Sequence, residues 1–259
     1  MGLGYTATSG LDAVNYFLTD ALCDPVGGES ERYFTEQLIR LPSQFVYVPR
    51  AGLPAPTGTP ARKRGHILFG VFNQYRKFTD EMLLLWREIM ERVPHAQLLL
   101  KSQIFFAPAM VEEARERLTR LGFDLTRVLL EPATTDYMER YLDVDIALDT
   151  YPWPGGGTTC DALYMGVPVV TLYGARRSTR FSYALLSLVG LPELAVRTPA
   201  EYVAGAVALA GDLDALDRLH RGLRGRMERS AVMDQEGYMR ALEQAYEHAL
   251  ARWSEGERA

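Results

Sequence analysis

The stretch Asp145-Ile146-Ala147-Leu148-Asp149-Thr150-Tyr151-Pro152-Trp153-Pro154-Gly155-Gly156-Gly157-Thr158-Thr159-Cys160-Asp161-Ala162-Leu163 decides the fold class. Its first four residues read as a buried strand, the Pro/Gly segment as a turn, and Thr158 as a helix start. Strand, glycine turn and helix in that order are how open α/β sheets present a ligand at a strand's carboxyl edge. Gly155, Gly156 and Gly157 let a ligand approach the backbone, and the N–H groups of the following helical turn favour an anion, phosphate being the natural guest. Thr158-x-x-Asp161 also fits a capping box, with the threonine at the N-cap and the acid three residues on. Both readings can hold together. The turn is neither G-x-G-x-x-G nor a P-loop, since no Gly-Lys-Ser/Thr follows.

The same alternation extends outward from this stretch. A strand is expected at 67–72, then a helix from Thr79 with Met82, Leu85, Trp86, Ile89 and Val93 on one face, ended by Pro94. Further strands are expected at 97–100, 127–130 and 167–172, with helices at 109–121, 137–142 and 158–165 between them. Continuous Val/Ile/Leu strands separated by helices indicate an α/β protein with a parallel, Rossmann-like sheet covered on both faces. After Gly174 helices follow at 178–189, 199–209, 213–229 and 234–253, the last packing back through Tyr238, Leu242, Ala245, Tyr246 and Ala249. Residues 1–60 offer a strand at 13–18, a helix at 29–41 and a strand at 45–48, too little for a stable domain. Residues 51–61 are rich in Pro, Gly and Thr and read as an interdomain linker or exposed loop. The expected division is therefore 1–60, part of something larger, and 61–259, a nucleotide-binding lobe with C-terminal helices.

The 259 residues are 47% hydrophobic and 24% charged, ordinary for a globular protein with a real core. A net charge of −5 gives no general attraction to nucleic acid or an anionic membrane, so a small or neutral partner is expected. Cys23 and Cys160 form no C-x-x-C pair or Cys/His cluster, which argues against a disulfide framework and a zinc site. Met1 to Gly10 carries no basic or apolar signal region and no stretch reaches the length of a membrane span, so a cytoplasmic location is expected. No G-x-S-x-G elbow or H-E-x-x-H cluster is present. The paired acids Asp143/Asp145 and Glu112/Glu113 read as solvated.

Three segments taken together carry a resemblance: Phe72-Asn73-Gln74-Tyr75-Arg76-Lys77, Leu148-Asp149-Thr150-Tyr151-Pro152, and Gly155 through Leu172. In order and spacing they resemble the C-terminal catalytic region of the O-linked N-acetylglucosamine transferase / SPINDLY family of glycosyltransferases. Gly4-Tyr5-x-x-Thr8-Ser9-Gly10 and Leu18-Thr19-Asp20 are similar to the end of that family's N-terminal lobe. The resemblance implies a GT-B-type enzyme with two Rossmann-like lobes, a nucleotide-sugar donor and inverting transfer to a protein Ser or Thr without a metal or other cofactor.

Position by position, the resemblance gives Gln74 and Lys77 to the donor, the lysine stabilising the diphosphate leaving group, where charge accumulates as the glycosidic bond breaks. Without it Lys77 would read as a surface lysine at a helix start. The three glycines with Thr158 and Thr159 match the turn that holds the diphosphate, and Asp161 matches the acid that receives the ribose diol. Arg180 resembles the family's Ser-Arg pair and would orient donor or lobe, the alternative being a first-turn arginine facing solvent. Lys101 falls where a basic residue is common, and Ala133-Thr134-Thr135 fits the loop that reads the base. Two departures, Pro154 where many bacterial relatives have asparagine and Gly157 where they have threonine, imply a weaker diphosphate grip or another donor. A histidine found nearby in animal enzymes is also absent.

The family's general-base histidines and tetratricopeptide helices lie upstream of anything present, and His66, His95, His220 and His248 fall in no matching motif, so no base is assigned. The expected function is the donor-binding lobe of a protein O-glycosyltransferase, with UDP-N-acetylglucosamine as donor. GDP-fucose, used by plant SPINDLY relatives, is the alternative donor. A non-catalytic nucleotide-binding module, or a truncated fragment needing a partner lobe, is the alternative role.

Overall fold

The computed structural model describes residues 7–254, so Gly4 and Tyr5 of the N-terminal motif lie outside the described residues. Strands β1 (Tyr16–Asp20) and β2 (Gln37–Leu41) pair in parallel as a sheet of their own. After the single turn of α1 (Ala61–Arg64) come β3 (Leu68–Val71), α2 (Asp80–Arg92), β4 (Gln97–Lys101) and α3 (Pro108–Arg120). Then follow β5 (Val128–Glu131), α4 (Tyr137–Arg140), β6 (Ile146–Leu148), α5 (Gly157–Tyr164) and β7 (Val169–Leu172). The chain closes with α6 (Phe181–Leu188), β8 (Ala195–Val196), α7 (Pro199–Gly211), α8 (Leu213–Glu228) and α9 (Gln235–Ser254).

The main sheet has the order β5-β4-β3-β6-β7-β8 with every neighbour parallel. This is the doubly wound order of a dinucleotide-binding sheet, in which winding reverses between the first strand and the fourth. Here those are β3 and β6, joined in register at Phe69–Ile146 and Gly70–Ala147. A side chain at Gly70 would meet Val144 at 2.8 Å, so the close approach of this strand to its neighbour requires glycine.

Period-two alternation sends successive strand residues into two cores. Phe69, Val71, Leu98, Leu100, Ile146, Leu148 and Val170 meet Met82, Trp86, Ile89 and Tyr202 on one face. Leu68, Leu99, Ala147 and Val169 meet Leu163, Leu185, Leu223 and Met227 on the other. Both faces are covered, which explains why the strands are continuous apolar runs. Among the described residues no helix is long and apolar enough to cross a membrane.

The strands and most helices of this lobe lie where the sequence places them, within a few residues. The N-terminal segment differs. Residues 29–41 are not one helix: Glu29–Tyr33 is a 3₁₀ turn and Gln37–Leu41 is β2. Gln37 N–H donates to Asn15 O at 2.9 Å, so the ladder partner that makes this segment a strand comes from 20 or so residues upstream, beyond a local window. Residues 45–48 form no strand, because Tyr47 N–H donates to Val232 O at 2.8 Å in the loop before α9. The stretch 51–61 is no free linker: Thr59 is 5% exposed, its hydroxyl donating to Asp145 Oδ1 at 2.6 Å. Asp145, read as solvated, is fully buried, where it also accepts from Ala61 N–H at 2.7 Å and Leu68 N–H at 2.8 Å and pairs with Arg64. Helix α9 packs through Tyr238, Leu242 and Ala245 on Leu18, Ile39 and Leu41 of the strand pair, with Tyr246 left at 57% exposure.

Glu36 fastens the start of the described chain. Its carboxylate accepts from Thr8 Oγ1 at 2.6 Å and from Ser9 N–H and Oγ at 2.7 and 2.6 Å. Burial would raise its pKa, but these hydrogen bonds outweigh it and hold the group at about 2, below its ordinary 4.5. A carboxyl depressed by folding contributes stability that is present above its ordinary pKa and lost as pH falls through the folded value. The stability advantage of the wild type over Glu36→Gln is therefore expected to shrink between pH about 4.5 and about 2, read from denaturant midpoints. A gap constant over that range would contradict the assignment.

Candidate functional site

The winding reversal places the carboxyl ends of β3 and β6 side by side, and the site is built there. Asp149, 2% exposed, follows directly on β6. Its Oδ1 accepts from Thr150 N–H at 2.9 Å, Gly155 N–H at 2.8 Å and Asn73 Nδ2 at 3.0 Å. Its Oδ2 accepts from Thr171 Oγ1 at 2.8 Å. The glycine turn is thus tied to β7 and to the loop after β3 by one carboxylate. Asn73 passes the connection on, its Oδ1 accepting from Thr158 Oγ1 at 3.0 Å in the first turn of α5. The Asp149 carbonyl accepts from Tyr202 OH at 2.9 Å, and that hydroxyl accepts from Trp86 Nε1 at 3.1 Å. A side chain on Gly155 would meet Thr158 Oγ1 at 2.7 Å and also press on Thr159, so the turn closes only with glycine there.

The capping-box expectation is not met. Gly156 is the N-cap of α5 and no side chain caps the first turn. Thr158 turns to Asn73, and Asp161 turns away to accept from Tyr47 OH at 2.7 Å and Tyr137 OH at 2.9 Å, one on each oxygen. Burial raises the Asp161 pKa against the pull of these two hydrogen bonds. Tyr137 is pushed up to about 12 by burial and by the neighbouring carboxylate.

Lys77 ends the short 3₁₀ turn Tyr75–Lys77 after β3 and is half-buried. Its Nζ donates to Pro154 O at 3.0 Å, across the crevice. Burial lowers its pKa from 10.5, with Asp149 acting to raise it and Arg76 to lower it further. A cavity of about 530 Å³ opens beside it. Of the expected site residues, Lys77, Gly155 and Gly156 line this cavity, together with Arg76, Trp153 and Pro154. The rest of its lining is Gln44 and Phe45 from the N-terminal segment, Arg177 and Ser178 from the turn before α6, and Phe181 at its start.

Arg177 joins these two parts of the lining. Only 3% exposed, it pairs with the fully buried Asp24 at 2.9 Å and donates to Thr19 and Gln44, lying over the rings of Phe17 and Phe181. Arg180 does not face solvent: at 8% exposure it donates to Leu22 O at 2.8 Å and Gly174 O at 3.2 Å, stacked over Tyr183. It fastens the N-terminal segment without lining the cavity.

The remaining expected residues lie off the cavity. Gln74 is exposed and its carbonyl accepts from Lys77 N–H at 2.9 Å. Gly157 is exposed with open space where a side chain would go. The Thr159 hydroxyl is buried against Ser182 Oγ at 2.8 Å. Lys101 is buried on Pro132 O at 2.9 Å and Glu131 at 3.4 Å. None of the four histidines lines the cavity; His220 is buried on Asp145 O at 2.8 Å and His66 meets Gln97 at 3.1 Å. Asp149, Asn73, Arg177 and Trp153 were not assigned from sequence. The first two stand at strand carboxyl ends inside the quoted motifs, which was the available signal; Arg177 had none.

A doubly wound parallel sheet with an uncapped glycine turn and a lysine facing it at the reversal point, and a C-terminal helix returning to a piece of a second sheet, is the C-terminal lobe of a GT-B glycosyltransferase. The sequence pattern of Glycosyl transferase family 41 matches residues 61–242, and the chain belongs to that family. It is similar to the "Probable UDP-N-acetylglucosamine--peptide N-acetylglucosaminyltransferase SPINDLY" of Oryza sativa subsp. japonica, 38% identical over 98% of this chain and 28% of that protein. The protein named SEC of Arabidopsis thaliana is 25% identical over 94% of this chain and 26% of its own length. A mutant of the Thermobaculum terrenum O-GlcNAc transferase superposes with a TM-score of 0.84 at 35% identity, over 95% of this chain and 46% of that one. The chain thus corresponds to the C-terminal catalytic region of these relatives and spans little more than a quarter of the curated ones.

Two stability outcomes follow from the geometry. Asp149→Ala would strand buried donors and is expected to cost about 3 kcal/mol or more, Asp149→Asn clearly less because an amide oxygen still serves the Oδ1 donors. Asp24→Ala would leave the Arg177 cation buried without its partner, at a cost of about 3–5 kcal/mol. Both are measured by chemical denaturation; equal losses for the two Asp149 variants would refute the hydrogen-bond account.

Proposed function

We propose that this chain forms the donor side of a protein O-glycosyl transfer, binding a UDP sugar, in first place UDP-N-acetylglucosamine, for inverting transfer to Ser or Thr. The observation that carries this is the half-buried Lys77 held across from an uncapped helix start over a cavity at the winding reversal. Diphosphate over the Gly155–Thr158 backbone would meet N–H groups and the helix dipole on one side and the Lys77 ammonium on the other. When the acceptor hydroxyl attacks the anomeric carbon, the bond to the diphosphate breaks and its electron pair passes to the β-phosphate oxygen. Lys77 would stabilise that charge, and burial would make the interaction stronger than at a water-exposed site. The acceptor's proton goes to a base that this reading does not assign. At the nucleoside end, the ribose diol would replace the Tyr47 and Tyr137 hydroxyls as the two donors to Asp161. The name of the rice relative supports this donor and a peptide acceptor, and that of the Thermobaculum relative supports the transferred N-acetylglucosamine.

Titration calorimetry tests it. UDP is expected to bind, with Lys77→Ala weakening it by about tenfold or more and Asp161→Asn also weakening it. GDP run alongside decides between the two donors. Because burial lowers the Lys77 pKa below 10.5, its positive charge is lost at a lower pH than for a free lysine. UDP affinity is therefore expected to decline with rising pH before pH 10.5 is reached, and Lys77→Arg to flatten that decline. No heat with UDP, UDP-N-acetylglucosamine or GDP would sink the proposal.

A further inference from the structure

Trp153 is the large aromatic side chain that the cavity leaves most open to water, at 53% exposure. Its backbone is not a mobile tip. The Trp153 carbonyl accepts from Thr150 Oγ1 at 2.7 Å, and the residues on either side are tied to Asp149 through Thr150 N–H and Gly155 N–H. The next carbonyl in the chain, that of Pro154, is the one that receives Lys77 Nζ at 3.0 Å. A fixed turn therefore carries the indole one residue from the carbonyl that holds the lysine, and both side chains line the cavity. The same cavity is lined by the apolar rings of Phe45 and Phe181 and by Arg76 and Ser178, which carry hydrogen-bonding groups. The Gln44 amide is engaged elsewhere, its Oε1 on Arg177 and its Nε2 on Asp20 at 2.8 Å.

We propose that Trp153 is the specificity-determining platform for the transferred sugar, its indole face stacking on the C–H face of a hexopyranose while Arg76 and Ser178 meet the ring hydroxyls. This rests on the donor reading above and deepens it. With the diphosphate at Lys77, the group bonded to the β-phosphate lies on the cavity side of the turn. Asp161, with Tyr47 and Tyr137, lies outside the cavity lining, so the nucleoside end leaves in the other direction. A pyranose is apolar on its face and polar at its edge, and an aromatic wall with polar groups around it matches both parts. The indole is presented in its working position by the turn, so stacking costs little ordering.

The test compares UDP-N-acetylglucosamine with UDP. Trp153→Ala is expected to weaken the sugar nucleotide about tenfold while leaving UDP within about twofold, and Trp153→Tyr to retain most of the difference. In a Trp253→Phe background, where the other tryptophan is the fully buried Trp86, the sugar nucleotide is expected to shift the emission to shorter wavelength and UDP to leave it unchanged. An unchanged affinity ratio in Trp153→Ala overturns the proposal. So does an equal loss for both ligands, which would put the nucleobase or the turn itself on the indole. If UDP fails to bind even the wild type, it is the donor reading that falls; UDP binding with an unaltered ratio removes the Trp153 assignment alone.

Discussion

The Asp149 carboxylate is the constraint on which the site depends. It stands at the carboxyl end of β6, where the backbone must leave the sheet, turn within a few residues and start a helix. Four neutral donors from four points of the chain converge on it, which offsets the cost of removing the group from water and fixes the turn in one geometry. The carbonyl of the same residue is bound to Tyr202 and through it to Trp86, so the turn is referred to the helices behind the sheet as well. Lys77 then meets a carbonyl whose place is set by this network.

The lobe was legible because its signals are local and repeated. Each strand is an apolar run and each helix carries its own face and stop, as with Thr79 capping α2 and Gly122 and Gly166 ending helices in left-handed conformations. The N-terminal segment was not, since Gln37–Leu41 becomes a strand only through β1, and residues 45–48 are held by a loop more than 180 positions away. Asp145 was misjudged for the same reason: of the donors that make its burial tolerable, Thr59 and Ala61 come from a stretch that composition marks as a linker and Leu68 from β3, all more than 75 residues upstream.

Within the candidate site, sequence singled out the turn and Lys77, which line the cavity, but not the partners its polar residues take. Thr159 and Asp161 sit next to the turn, yet one hydroxyl is spent on Ser182 and the carboxylate faces two tyrosines. Spacing gives which residues are near a helix start; it does not give the direction each side chain takes once neighbours from other segments compete for it. Arg177 shows the limit most plainly, because its partners Thr19, Asp24 and Gln44 are all more than 130 residues distant in the chain.

That arginine also bears on where the protein can be cut. The family pattern spans residues 61–242, a range that holds the glycine turn and Lys77 but excludes Gln44, Phe45 and the strand pair on which α9 rests. A piece trimmed to those limits would keep Lys77, the glycine turn, Trp153 and Phe181 but lose Gln44 and Phe45, opening one side of the cup and leaving the Arg177 guanidinium with none of its three polar partners. The unit that the family pattern marks and the unit that encloses this cavity are therefore different objects, and the second is set by a side chain that reaches out of the first.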